Sequence, residues 1–216
     1  MRAVGRAVSY PFTRAGAVWL AAVLIGAVPY SEMLPSLVAL SFAIPVVLDS
    51  SRRDRHGNTG FRLMPPLTSP GSELGSGLVL HLVYLGPSLL VYALAYVTDD
   101  LPGLRWIMFL SPILFLLQFV LLVFWPAGVA VLVAEERLIP ALARGRVFRM
   151  VGDLGMSYGG LAAYVIVSGG FVLFLSNALA SAENWGRLLA SGVVVWFWLL
   201  GLYLVGRALR AMPATE

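Results

Sequence analysis

The chain has 216 residues, of which 59% are hydrophobic and only 12% are charged, and its formal net charge is +4. Soluble domains are roughly a quarter charged, so this composition excludes an ordinary water-soluble fold and predicts an integral membrane protein. The chain contains no cysteine, which excludes disulfides, cysteine-ligated metals and a thiolate nucleophile.

All fifteen basic residues are arginines, and this complete preference over lysine indicates a GC-rich bacterial source. The arginines fall in the gaps between long uncharged stretches. They do not form one basic face interleaved with aromatic residues, which argues against nucleic-acid binding. The pattern instead favours the anionic lipids of an inner membrane leaflet as partners.

The first two apolar stretches cover residues 15–30 and 33–48 and are separated by a turn near Pro29 and Glu32. Sixteen helical residues reach only about 24 Å at 1.5 Å per residue, less than the roughly 30 Å hydrocarbon core of a bilayer. The pair therefore forms either a thin spanning hairpin or a re-entrant one. Both arrangements return the chain to the side where it started.

Two polar segments, 49–73 and 135–153, are typical of loops and divide the remaining apolar sequence. Four further spans are predicted, at about 74–98, 104–134, 154–179 and 188–205. The sequence therefore predicts an all-α, polytopic transmembrane helix bundle of about six spans that forms a single domain over residues 1–216.

The distribution of arginines predicts the orientation of this bundle. Thirteen of the fifteen lie on one side of the six-span arrangement, and the other side holds only Arg105 and Arg187. The positive-inside rule then places both termini in the cytoplasm, and the predicted location is the bacterial cytoplasmic (inner) membrane.

Two of the polar segments have the periodicity of amphipathic surface helices, residues 1–12 and 137–151. In the second of them, arginines alternate with apolar residues in a way that places the two kinds on opposite faces. Arg144, Arg146 and Arg149 are therefore candidate contacts for lipid headgroups.

A polar stripe follows one face of the third predicted span. It consists of His81, Tyr84, Ser88 and Tyr92, which recur at helical spacing, together with Gln118 in the fourth span. The stripe has two interpretations. It lines a small polar pocket or path, or its side chains form hydrogen bonds that hold neighbouring helices together.

Small residues recur every fourth position at the start of the fifth predicted span, at Gly155, Gly159 and Ala163. Such a face allows another helix backbone to approach closely. The sequence leaves open whether that helix belongs to the same chain, to a second copy or to another membrane protein.

The sequence contains no motif that predicts catalysis, a cofactor or a metal ion. It lacks the His-Glu-x-x-His pattern of zinc enzymes, and a phosphate-binding loop is excluded because the chain has no lysine. We therefore predict a non-enzymatic membrane protein, a subunit or scaffold of a membrane assembly. The alternative hypothesis is a permease or channel-like component for a small neutral or lipidic solute.

Three sequence features together resemble those of uncharacterised six-helix integral membrane proteins of bacteria and archaea. They are the arginine-rich amphipathic start, the run Ala43-Ile-Pro-Val-Val-Leu48 leading into a basic loop with Leu63-Met-Pro-Pro-Leu67, and Trp125-Pro-Ala-Gly128 ahead of an acidic pair and a basic segment. The resemblance extends over most of the chain. It implies a shared architecture and transfers no functional residue.

Overall fold

A computed structural model describes residues 2–26, 34–51, 64–65, 67–100, 109–180 and 183–212. These residues form α-helices joined by short turns, with a 3₁₀ turn at 109–110 and no strand in the ranges described. The α-helices are α1 (Arg2–Thr13), α2 (Gly16–Gly26), α3 (Leu34–Ser41), α4 (Ala43–Ser51), α5 (Pro70–Asp100), α6 (Ser111–Glu135), α7 (Leu138–Leu142), α8 (Arg144–Leu154), α9 (Met156–Ala180) and α10 (Glu183–Ala211). The all-α prediction is confirmed for these residues.

Helix α10 lies at the centre of the bundle, in contact with α1, α2, α3, α4, α6 and α9. Its inward face buries Leu199, Leu202 and Val205 completely. Helices α5 and α6 pack against each other, and α6 also contacts α9. The apolar core therefore runs along α10, and the remaining helices surround it.

Two helices are long and apolar enough to cross a membrane, Pro112–Glu135 and Trp185–Ala211. Counting each bent pair of helices as one span raises the number among the described residues to five; the pairs are Gly5–Thr13 with Gly16–Ile25, Leu34–Ser41 with Ala43–Ser51, and Arg144–Leu154 with Met156–Phe171. These candidate spans suggest a membrane location. The count of six spans stays a prediction.

The observed helix boundaries differ from the predicted spans in several places. The second predicted span is divided at Phe42, where α3 and α4 meet at an angle of 46°. Helix α6 begins at Ser111, with Pro112 in its first turn, where the missing N–H of proline costs nothing. Residues 27–33 and 101–108, which include parts of the first, second and fourth predicted spans, lie outside the described residues.

The fifth predicted span begins two residues later than expected, because the chain bends by 108° between α8 and α9. Gly155 forms this corner with a φ of 51°, a left-handed conformation that glycine adopts without steric cost. Gly155 therefore lies outside α9. The i+4 spacing predicts that it shares a helical face with Gly159 and Ala163, but the corner separates it from them.

Much of the outer surface of the bundle is apolar. On α6 the exposed large side chains are Ile113, Phe115, Leu116, Leu117, Phe119 and Val120; on α9 they are Ile166, Val167, Phe171 and Phe174. Soluble monomers rarely expose contiguous apolar surface on this scale, whereas lipid tails or another membrane protein would cover it without cost.

Candidate functional site

The polar stripe of α5 is buried where the structure describes its side chains. His81 is completely buried, and its Nδ1 donates a hydrogen bond to the carbonyl oxygen of Gly77, one turn earlier in the same helix, at 2.5 Å. Tyr84 is 5% exposed. The side chains of Ser88 and Tyr92, the other two members of the stripe on α5, lie outside the described residues.

Gln118 joins the stripe to α6 through packing and hydrogen bonding. Its Nε2 donates to the carbonyl oxygen of Tyr84 at 2.9 Å, so the side-chain amide links α5 and α6. The ring of Tyr84 lies against Gly128 of α6, and a Cβ at that glycine would overlap the tyrosine. These contacts favour the helix-packing interpretation, because they occupy the groups that would have lined a pocket near Gln118.

An aromatic cluster adjoins the buried histidine. The ring centroids of His81 and Trp125 are 5.9 Å apart, and those of Trp125 and Trp198 are 5.2 Å apart. With Nδ1 of His81 as a donor, Nε2 is an acceptor; neither this atom nor Nε1 of Trp125 has a hydrogen-bond partner among the described residues.

A second polar cluster ties α1 to α4 and α10, and sequence reasoning missed it. The phenol of Tyr10 donates to Oδ2 of Asp49 at 3.1 Å, and Nη1 of Arg14 lies 4.0 Å from Oδ1 of the same carboxylate. The ring of Tyr10 also contacts that of Tyr203 at a centroid distance of 4.7 Å. Asp49 had been assigned to a solvated loop, but it lies on α4, directly after the apolar residues of that helix.

We expect Asp49→Ala to lower the free energy of unfolding by about 1–3 kcal/mol, because it leaves the buried hydroxyl of Tyr10 without its acceptor. Asp153→Ala, which removes an exposed carboxylate of α8, is the matched control and should change it by less than about 0.5 kcal/mol. Thermal unfolding of the detergent-solubilised variants measures both. Equal losses in the two variants would show that the cluster does not fasten α1.

Glu73 caps α5 and is a further residue that the sequence analysis did not identify. Its Oε1 accepts hydrogen bonds from the backbone N–H groups of Thr68, at 3.1 Å, and Ser69, at 3.0 Å, and also from the hydroxyl of Thr68. The backbone carbonyl oxygen of Ser69 in turn accepts a hydrogen bond from the backbone N–H of Glu73. A serine followed by proline and a nearby glutamate is a helix-start signal, and it would have placed the beginning of α5 at Pro70.

The glycines at the helix contacts are not those that the spacing pattern had selected. A Cβ at Gly77 would lie 2.6 Å from the carbonyl oxygen of Ser41, and one at Gly206 would lie 2.5 Å from that of Val47. At Gly159, by contrast, a Cβ meets no described atom within 4 Å. The close approaches inside the chain therefore use single glycines on different helices, and Gly159 lies on an uncovered surface.

The sequence predicts one amphipathic helix over residues 137–151, but the chain is extended at Ala143 and forms α7 and α8 on either side of it. Helix α8 is amphipathic. Its inward face buries Val147, Met150 and Leu154, whereas the three candidate headgroup contacts, Arg144, Arg146 and Arg149, are exposed. Arg146 also lies 3.6 Å from the carboxylate of Glu135 at the end of α6. The guanidinium groups are thus positioned on the outer side of a helix that lies across the start of α9.

Comparison with known proteins gives no relative from which a role could be transferred: no family model, no curated protein and no solved structure matches this chain. Within the described ranges, no group of three or more histidine, cysteine, aspartate and glutamate side chains is arranged to hold a metal ion.

Proposed function

We propose that the chain is a non-enzymatic integral membrane protein that serves as a subunit or scaffold of a membrane assembly. The observation that supports this proposal is the uncovered outer face of α9. The orientation that the arginines favour, with both termini in the cytoplasm of a bacterium, belongs to the same proposal.

The outer face of α9, which we define by Gly159, Ala163, Ile166 and Gly170, follows the spacing of a single helical stripe. All four residues are exposed, and a Cβ at Gly159 or Gly170 meets no described atom within 4 Å. In a bilayer the apolar helix surfaces are already out of water, so the hydrophobic effect does not drive helices together. Helices associate instead where small residues let their backbones approach closely. This face has the residues that such a contact requires.

The opposite face of α9 is already occupied. Tyr164 donates its hydroxyl hydrogen to the carbonyl oxygen of Phe197 at 2.9 Å, and its ring stacks on that of Phe197 at 5.3 Å. Val165, the next residue of α9, is buried as well. Helix α9 is therefore held firmly on α10 and presents its small residues outward as a rigid surface, which lowers the entropic cost of binding another helix.

The alternative is a permease or channel-like component for a small neutral or lipidic solute, which the polar stripe and the short first hairpin suggested. That hypothesis takes the stripe from His81 to Tyr92, with Gln118, as the lining of a small polar path. His81, Tyr84 and Gln118 are buried, and each packs against or hydrogen-bonds to a neighbouring turn or helix, which favours the subunit or scaffold. A structural role in holding α5 on α6 accounts for them.

We expect Gly159→Leu to disrupt the assembly while leaving the chain folded. A leucine at this position fills the space that a second helix backbone would enter, yet its Cβ meets no described atom of its own chain within 4 Å. In mild detergent, the protein mass measured by light scattering should fall from that of the wild-type complex to that of the lone 23.3 kDa chain.

The matched control is Gly86→Leu on α5, where a Cβ also meets no described atom within 4 Å. This variant should keep the mass of the wild-type complex. The proposal would be contradicted by a wild-type protein that extracts as a bare monomer, or by a Gly159→Leu variant that assembles as the wild type does.

A further inference from the structure

An open groove lies between the first turns of α9 and the last turns of α10. Its lining includes Ser157, Gly160 and Leu161 on α9, and Leu204, Arg207 and two alanines on α10. Its volume is about 320 Å³, roughly ten times that of a water molecule in the liquid. The groove is thus larger than an ion requires and suits a small organic group.

The groove changes from polar to apolar along the helix axes. The two helices are antiparallel, so Ser157 and the end of α10 lie at the mouth, and Leu161 lies about 6 Å deeper, at 1.5 Å per residue. Leu204 is the corresponding apolar residue of α10. Arg207 is exposed, and none of the lining residues carries a carboxylate. The site therefore favours a ligand with an anionic end and an apolar end.

Helix α8 indicates the depth of the groove in the membrane. This amphipathic helix lies at 108° to α9, with Val147, Met150 and Leu154 turned inward and its arginines exposed. A helix of this kind lies in the plane of the lipid headgroups. Ser157 follows the corner at Gly155 by two residues, so the mouth of the groove opens at the level of the headgroups and its apolar end points toward the acyl chains.

We propose that this groove binds the headgroup and glycerol of an anionic phospholipid. Arg207 contacts the phosphodiester, and the hydroxyl of Ser157 donates a hydrogen bond to it. The missing side chain of Gly160 provides the space for the glycerol, and the acyl chains follow Leu161 and Leu204 toward the membrane interior. The apolar walls select a lipid over free phosphate, and the guanidinium disfavours a packed helix from a second copy.

The test is native mass spectrometry of the purified full-length chain in detergent, titrated with phosphatidylglycerol or with phosphatidylcholine. The wild type should retain phosphatidylglycerol at least about tenfold more strongly, and Arg207→Gln should remove about tenfold of that affinity, the effect of losing one charge-assisted hydrogen bond. Arg187→Gln, at the opposite end of α10 and also exposed, is the control and should bind as the wild type does.

A second pair of variants tests whether lipid binding needs the open space beside Gly160, independently of the charge of Arg207. Gly160→Leu fills the groove and should abolish retention of phosphatidylglycerol, whereas Gly75→Leu, at an exposed position on α5 where a Cβ meets no described atom within 4 Å, should not. The proposal would be overturned by equal binding to the two arginine variants, by displacement of the lipid with inorganic phosphate alone, or by a lipid-free dimer in which the groove is covered. Lipid retention is tested by variants at Arg207 and Gly160, and assembly through α9 by Gly159→Leu, so a failure of one proposal is distinguishable from a failure of the other.

Discussion

Trp125→Ala is expected to lower the free energy of unfolding by about 3–5 kcal/mol, the range for removing a buried tryptophan from a packed core. The indole is 1% exposed and contacts the rings of His81 and Trp198. It also lies close to Gly201, where a Cβ would be 3.3 Å from the ring. Unfolding of the detergent-solubilised variant by heat or by titration with a denaturing detergent measures the loss.

Trp125→Phe separates two contributions of Trp125 to stability, the apolar packing of its ring and the indole N–H. Phenylalanine keeps much of the apolar contact and removes the indole N–H, which has no acceptor among the described residues. Removing an unsatisfied donor offsets part of the lost packing, so we expect a cost of only about 1 kcal/mol. A Phe variant as unstable as Trp125→Ala would show that the N–H has an essential partner.

Gly206→Leu is expected to destabilise the fold by about 3 kcal/mol, at the upper end of the usual range for overpacking. A Cβ at this position overlaps the hydroxyl of Ser50 and lies 2.5 Å from the carbonyl oxygen of Val47. Because the carbonyl is backbone, α4 must move away from α10. The helix-propensity gain from glycine to leucine, about 1 kcal/mol at most, is smaller than this penalty.

The same substitution at Gly159 is the control for Gly206→Leu. At that exposed position the Cβ causes no clash within the chain, so only the higher helix propensity of leucine affects stability. Gly159→Leu should therefore be as stable as the wild type or slightly more stable. Gly206→Ala should already be destabilised, since the clash begins at the Cβ. Equal stability of the Gly206 and Gly159 leucine variants would contradict the close contact between α4 and α10.

Features that depend on local composition were predictable from the sequence. The apolar runs that became α6 and α10 are long enough to be recognised from hydropathy alone. The alternation of arginine and apolar residues likewise predicted an amphipathic helix over 137–151 with exposed arginines, although it did not predict the break at Ala143 between α7 and α8. Each of these depends on residues within a few turns of one another.

Features that depend on the meeting of distant segments were not predictable from one sequence. Gly77 on α5 contacts α3, and Gly206 on α10 contacts α4. Because each contact joins two helices that are distant in sequence, no spacing rule within a single helix identifies these glycines. Arg14 and Asp49 are also far apart in the chain, and each taken alone is typical of a membrane-flanking charge. The i+4 spacing of Gly155, Gly159 and Ala163 predicted one continuous helical face. Spacing in the sequence does not show that the backbone changes direction at Gly155.

Helix α9 both packs on the core helix α10 and carries the surface that we propose for assembly. One face of this helix is fixed to α10 by Tyr164, and the other presents Gly159, Ala163 and Gly170 to the surroundings. In a bilayer, exposed small residues on a helix favour contact with another helix over contact with lipid. A protein with this surface is suited to hold an assembly together.

The most direct test of this central claim is photo-crosslinking in the intact membrane, with a photoreactive amino acid in place of Ala163. Leu82, which is exposed on α5, provides the control position. We expect residue 163 to crosslink to one polypeptide of defined mass, in a product that Gly159→Leu abolishes, and residue 82 to give lipid adducts. Lipid adducts alone from both positions would contradict the claim that another protein covers the outer face of α9.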